Sequence, residues 1–217
     1  MNPQDITEAL RANLAMTRGD PSWADQLDMS ASKVFRSFWA VPLAVPAMVL
    51  NLSAQRQLSL QTPASPQAQM IAAMPSSVYF VSFVAVSLMV WAVEIGIFVG
   101  VAQRRGMGWK VSPMIITANW SKFAFLVAAG LGTGLAIALG TPGLSVISLL
   151  VAYGLLFYLR WGILRRTLDL SPAGSMGMLG VLVLSVFLAT FIAAMFLVPL
   201  LEVFGVEIRQ TLISSSS

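Results

Sequence analysis

Between Phe123 and Leu159 the chain carries no Asp, Glu, Lys or Arg. As one helix rising 1.5 Å per residue, this run would be about 55 Å long, nearly twice the roughly 30 Å of a bilayer's hydrocarbon core. Gly140-Thr141-Pro142-Gly143 lies near its middle and supplies the only strong turn chemistry in the run. The run therefore predicts two membrane-crossing helices joined by a tight hairpin. Composition agrees, since 57% of the 217 residues are hydrophobic and 10% are charged, against roughly 25% charged in a soluble domain.

The same reasoning predicts five spans, at about 30–52, 78–102, 113–139, 144–163 and 176–201. The first contains Pro42 and Pro46, each of which removes a backbone donor and bends a helix. Pro113 falls in the permitted first turn of the third. None of these runs alternates with period two, which excludes a membrane β-barrel. The fold class expected is an all-α integral membrane protein, a bundle of about five transmembrane helices. It divides into a cytoplasmic arm (1–29), a five-span membrane domain (30–202) and an exterior tail (203–217). In the arm, residues 3–18 suit an amphipathic helix with Ile6, Leu10 and Leu14 as its apolar stripe, stopped by Gly19-Asp20-Pro21. That helix either hangs loosely or lies on the membrane surface, with Trp23 and Leu27 dipping in. Asp5, Glu8, Asp20, Asp25 and Asp28 leave no apolar core for a secretory signal there, so the first span is expected to be retained. The connector 53–77 is polar, with room for a short interfacial helix near Met70 and Ile71.

The basic residues orient the bundle. With the N-terminus inside, Arg11, Arg18, Lys33, Arg36, Arg104, Arg105, Lys110, Lys122, Arg160, Arg165 and Arg166 fall on or toward the cytoplasmic side, and Arg56 and Arg209 fall outside. This places the C-terminus in the periplasm or a lumen. It also explains the net charge of +4 without nucleic acid, whose recognition needs a clustered basic patch.

Cys and His are both absent. Thiolate nucleophiles, Cys/His zinc sites, His-ligated haem and His general bases are therefore excluded, and neither a catalytic residue, a metal nor a cofactor is expected. The residue that stands out is Glu94, because a lone carboxylate within a span must be neutral, paired or hydrated. Counting along the helices puts Glu94 about 15 Å and Lys122 about 13 Å from the cytoplasmic ends of their antiparallel spans. Asn119 shares a helix face with Lys122. Glu94, Asn119 and Lys122 thus form a candidate buried polar cluster, either a clasp between helices or an ion, proton or headgroup site. Gly96 with Gly100, and Gly130 with Gly134, have the four-residue spacing that lets helices approach closely. They serve either packing within the bundle or a face for another membrane protein. Arg104, Arg105, Arg160, Arg165 and Arg166 read as a cytoplasmic basic rim facing anionic lipid headgroups.

Arg36-Ser37-Phe38-Trp39 at the start of a Pro-containing first span, Ala118-Asn119-Trp120 early in the third, and the segment Tyr158 to Leu168 resemble the Yip-type family of five-pass membrane proteins, in its bacterial branch. The resemblance implies the five-span fold, a cytoplasmic N-terminal arm and a bacterial inner membrane. The Asp-Leu-Tyr-Gly-Pro signature of eukaryotic members is absent, so their trafficking role is not implied. The expected function is a non-enzymatic inner-membrane protein, an accessory or organising subunit whose partners are membrane lipids and a membrane protein or second copy. The alternative is a small-solute or ion permease built on Glu94, Asn119 and Lys122.

Overall fold

The computed structural model describes residues 3–61 and 66–203. These residues form α1 (Pro3–Arg18), α2 (Ala31–Ser37), α3 (Ala40–Gln61), α4 (Pro66–Ala73), α5 (Ser76–Arg104), α6 (Val111–Ala138), α7 (Pro142–Thr167) and α8 (Pro172–Val203), with 3₁₀ turns at Pro21–Ala24 and Gly108–Lys110. Among the described residues there is no strand. Five stretches are long and apolar enough to cross a membrane: Ala31–Gln61, Ser76–Arg104, Gly108–Ala138, Gly143–Thr167 and Pro172–Ala193. Leu150, Val151, Leu184, Phe187 and Phe191 are among the many large apolar side chains left exposed on α7 and α8. In water such a surface would aggregate, whereas in hydrocarbon it is solvated. The chain is a multi-pass integral membrane protein.

The first span is two helices because of Pro42. Its ring excludes the carbonyl of residue i−4, Phe38, from a helical bond. The Phe38 carbonyl instead accepts from Val41 N at 3.1 Å, and α2 closes through Trp39 N to Arg36 O at 3.1 Å. The chain turns at Phe38–Trp39 and resumes as α3, which carries Pro46 inside it. At the hairpin, Gly140 adopts φ +64°, Gly140 N donates to Ile137 O and Thr141 N to Ala136 O, both at 2.9 Å. This pair of bonds needs a left-handed residue, which glycine adopts without a Cβ clash. The uncharged run is thus α6 and α7 joined by a tight turn.

Helix α6 lies at the centre, packed against α3 and α7 and touching α1, α2 and α5, while α8 covers α5 and α7. Several helix contacts leave no room for a Cβ. A Cβ on Gly130 would lie 2.3 Å from the Ala47 carbonyl oxygen of α3, and one on Gly162 of α7 would lie 2.6 Å from Thr17 Cα of α1. Gly134 faces the end of the Leu50 side chain of α3, 2.9 Å from where its Cβ would lie.

The arm is not loose, because α1 packs on α6 and α7. Of the stripe Ile6, Leu10 and Leu14, Ile6 and Leu10 are half-buried against the core around Trp91 and Trp120, and Leu14 is exposed. The fully buried residues are Asp5, Ala9, Ala12, Asn13, Ala15, Met16 and Thr17. Small residues allow the close approach that Gly162 also requires. Charge fixes the other end: Lys33 Nζ lies 2.6 Å from Asp5 Oδ1 and 3.3 Å from Glu8 Oε2, and Arg36 Nη1 lies 3.8 Å from Asp5 Oδ2. The linker between α1 and α2 is capped at both turns. The backbone N–H of Ser22 holds the Asp20 carboxyl below the usual carboxylate range, and that of Ser30 does the same for Asp28. In the connector, α3 runs on to Gln61 and α4 covers the region of Met70 and Ile71. The tail beyond Val203, with Arg209, lies outside the described residues.

Candidate functional site

Two polar contacts tie α5 to α6. Trp91 and Glu94 are three apart on α5, and Asn119 and Lys122 are three apart on α6, so each pair shares a face. Trp91 Nε1 donates to Asn119 Oδ1 at 2.9 Å, and Asn119 Nδ2 donates to Ser37 Oγ of α2, also at 2.9 Å. The Ser37 hydroxyl donates onward to the Val34 carbonyl at 2.7 Å. Asn119 therefore has a donor and an acceptor partner and belongs to a chain that holds the α2–α3 bend against the bundle.

Glu94 has different partners. Its Oε2 lies 3.5 Å from Lys122 Nζ, and its Oε1 lies 2.9 Å from Arg160 Nη2 of α7. The side chains of Glu94, Lys122 and Arg160 are 9%, 14% and 3% exposed. The Phe98 ring, one turn along α5 from Glu94, lies 5.3 Å from the Arg160 guanidinium. The structure brings Glu94 and Lys122 together, leaves Asn119 in the neighbouring network, and adds Arg160.

Arg160 is thus not part of the basic rim. It lies on the stripe Leu156, Leu159, Arg160, Ile163, Leu164 and Thr167, all buried, with the i, i+3, i+4, i+7 spacing of a core-facing helix. That spacing is the signal in the sequence that marks Arg160 as internal. The proximity of Arg165 and Arg166 masks it. The remaining rim residues lie at the end of the bundle that carries α1. Arg104 and Arg105 are exposed at the end of α5, Arg165 lies over Trp161 at 4.9 Å, and the Arg166 guanidinium covers Gly19. Asp169 pairs with buried Lys110 rather than with an arginine.

The small-residue pairs divide. Gly130 and Gly134 seat α3 on α6, whereas a Cβ at Gly96 or Gly100 would meet nothing within 4 Å. Among the described residues, Gly96 and Gly100 seat no neighbouring helix. Ala92 and Gly96 are exposed and Gly100 is partly exposed, and together they form a smooth strip on α5.

Chemically, the site places one carboxylate between two cations from two other helices, in a region with no other acid among the five spans. Among the described residues, no group of three or more acidic side chains could hold a metal ion. Comparison with protein-family models, with curated proteins and with solved structures gives no match for this chain.

Proposed function

We propose that this protein is a non-enzymatic, multi-pass subunit that organises or accompanies another membrane protein, in a bacterial inner membrane with its N-terminus in the cytoplasm. The observation that carries this reading is the Ala92-Gly96-Gly100 strip. Within the bundle, small residues mark where a neighbouring helix seats, as Gly130 does for α3. The α5 strip has the same chemistry and, among the described residues, no neighbour against Gly96 or Gly100. The orientation rests on Arg104, Arg105, Arg165 and Arg166 at the α1 end. Kinship with the Yip-type five-pass proteins is part of the same reading. The test is purification from native membranes in mild detergent, comparing the wild-type chain with Gly96→Leu/Gly100→Leu. A specific companion chain should co-purify with the wild type and be lost from the variant, while thermal stability is unchanged. Isolation of the wild type as a bare monomer, or unchanged co-purification with the variant, would refute the proposal.

A second reading, an ion or small-solute pathway through Glu94, Asn119 and Lys122, draws support from charged groups of three helices meeting within the membrane region. It requires flux into vesicles reconstituted with the purified chain. Flux no greater than in empty vesicles would eliminate it.

A further inference from the structure

We propose that Arg160 and Lys122 form a binding site for a small oxyanion, a carboxylate or phosphate group, within the membrane domain, with Glu94 as its built-in competitor. The inference goes beyond the organising role and does not rest on it.

The first argument is charge. Arg160 and Lys122 face one carboxylate, and the five spans contain no other acid. An excess positive charge inside hydrocarbon is unfavourable, and an anion is its direct remedy. The second argument is hydrogen bonding. Buried N–H groups normally have partners. Yet Nε, Nη1 and Nη2 of Arg160 donate no hydrogen bond, and Oε2 of Glu94 accepts none, among the described residues. The 2.9 Å approach of Arg160 to Glu94 is a charge contact without the alignment of a donated bond.

Shape narrows the class. A guanidinium presents planar paired donors that match the two oxygens of a carboxylate or phosphate, which a spherical anion does not exploit. Phe98 lies against the Arg160 guanidinium, so the ligand meets the guanidinium away from that ring. Lys122 is the most exposed member of the cluster, so the approach lies on its side, and its flexible stem lets the ammonium follow the ligand. The oxyanion then takes the Arg160 donors while Glu94 retains Lys122, or displaces Glu94 from both.

The experiment uses the full chain, purified in neutral detergent. Melting temperature is followed against phosphate at constant ionic strength set with chloride, and separately in phosphatidylcholine vesicles with and without phosphatidylglycerol. Saturable stabilisation by phosphate identifies a dissolved oxyanion, and stabilisation by phosphatidylglycerol alone identifies a headgroup. Either supports the site only if Arg160→Gln and Lys122→Gln each weaken it by about 10- to 100-fold, the range for loss of a charge-assisted bond. Glu94→Gln should tighten it, because the competitor is gone. Arg104→Gln/Arg105→Gln should leave it unchanged. If Arg160→Gln does not fold, the opposite responses of Lys122→Gln and Glu94→Gln decide. No stabilisation of the wild type by either probe, or equal responses in all variants, overturns the proposal.

Discussion

Glu94 is held by two cations, and its substitutions should reveal which one matters more. Glu94→Leu strands Arg160 and Lys122 together and should cost about 3–5 kcal/mol, as removal of one member of a buried pair does. Glu94→Gln keeps one acceptor oxygen for one of the two cations and should cost less, about 1–3 kcal/mol. The informative comparison is between double variants. In Glu94→Leu/Lys122→Leu the Arg160 guanidinium, 3% exposed, remains buried without a counter-charge, so little stability returns. In Glu94→Leu/Arg160→Leu the remaining Lys122 has a long stem and is already 14% exposed, and it can carry its ammonium toward the surface. That variant should recover more, measured as reversible thermal or denaturant unfolding in detergent. The reverse order would make Lys122 the principal partner. At this scale the sequence is half legible. A carboxylate in an apolar run announces itself, and depth counting finds Lys122. Asn119 lies on the same face one turn away, but Trp91 and Ser37 satisfy it first, and depth along a helix carries no information on which of two neighbours wins.

Helix positions and breaks follow directly from residue types, whereas helix faces need knowledge of the neighbour. Pro42 dictates the bend at Phe38–Trp39 and Gly140 the hairpin, since each acts through its own backbone. The Gly pairs share one spacing and different fates, because spacing does not say whether a partner helix is there. This divides their substitutions. Gly130→Ala would push a methyl to 2.3 Å from the Ala47 carbonyl oxygen, a rigid backbone atom, and should cost about 1–3 kcal/mol through overpacking. Gly96→Ala, in open space, should be neutral or stabilise by up to about 1 kcal/mol through helix propensity. Equal losses at both positions, by unfolding in detergent, would contradict this packing. The arm shows the same limit. Its most hydrophobic stripe, Ile6-Leu10-Leu14, is buried only in part, because α7 offers a glycine at 162 and close approach favours the alanine face. Gly162→Ala would place its methyl against Thr17 N and Cα and should lift α1. Limited trypsinolysis in detergent should then cut at Arg11 or Arg18 faster than in the wild type, while the remainder stays protected. Unchanged cleavage would mean that α1 does not depend on that contact.

At the scale of the whole molecule, two ends follow from the path of the chain. Helix α5 ends where α6 begins, at the end that carries α1, and the α6–α7 turn lies at the opposite end. Hydropathy makes this legible because a bilayer fixes span length, and a short turn forces reversal. Which end faces the cytoplasm rests on a different force, the cost of moving Lys and Arg across the membrane. Arg104 and Arg105 at one end and the uncharged Gly140–Gly143 turn at the other give that force a clear direction. The native chain has no Cys, so single cysteines report one position each. Trp109→Cys, in the exposed α5–α6 connector, should react with an impermeant maleimide only after the cytoplasmic face is opened. Thr141→Cys, exposed in the hairpin, should react in intact cells or right-side-out vesicles. Opposite reactivity of the two sites tests the path of α6 alone and holds in either orientation. The specific assignment of Trp109 to the protected side tests the charge argument. Labelling of both sites from one side would mean that Gly108–Ala138 does not cross the bilayer. Labelling of Trp109→Cys alone from outside would keep the five-span path and invert the protein.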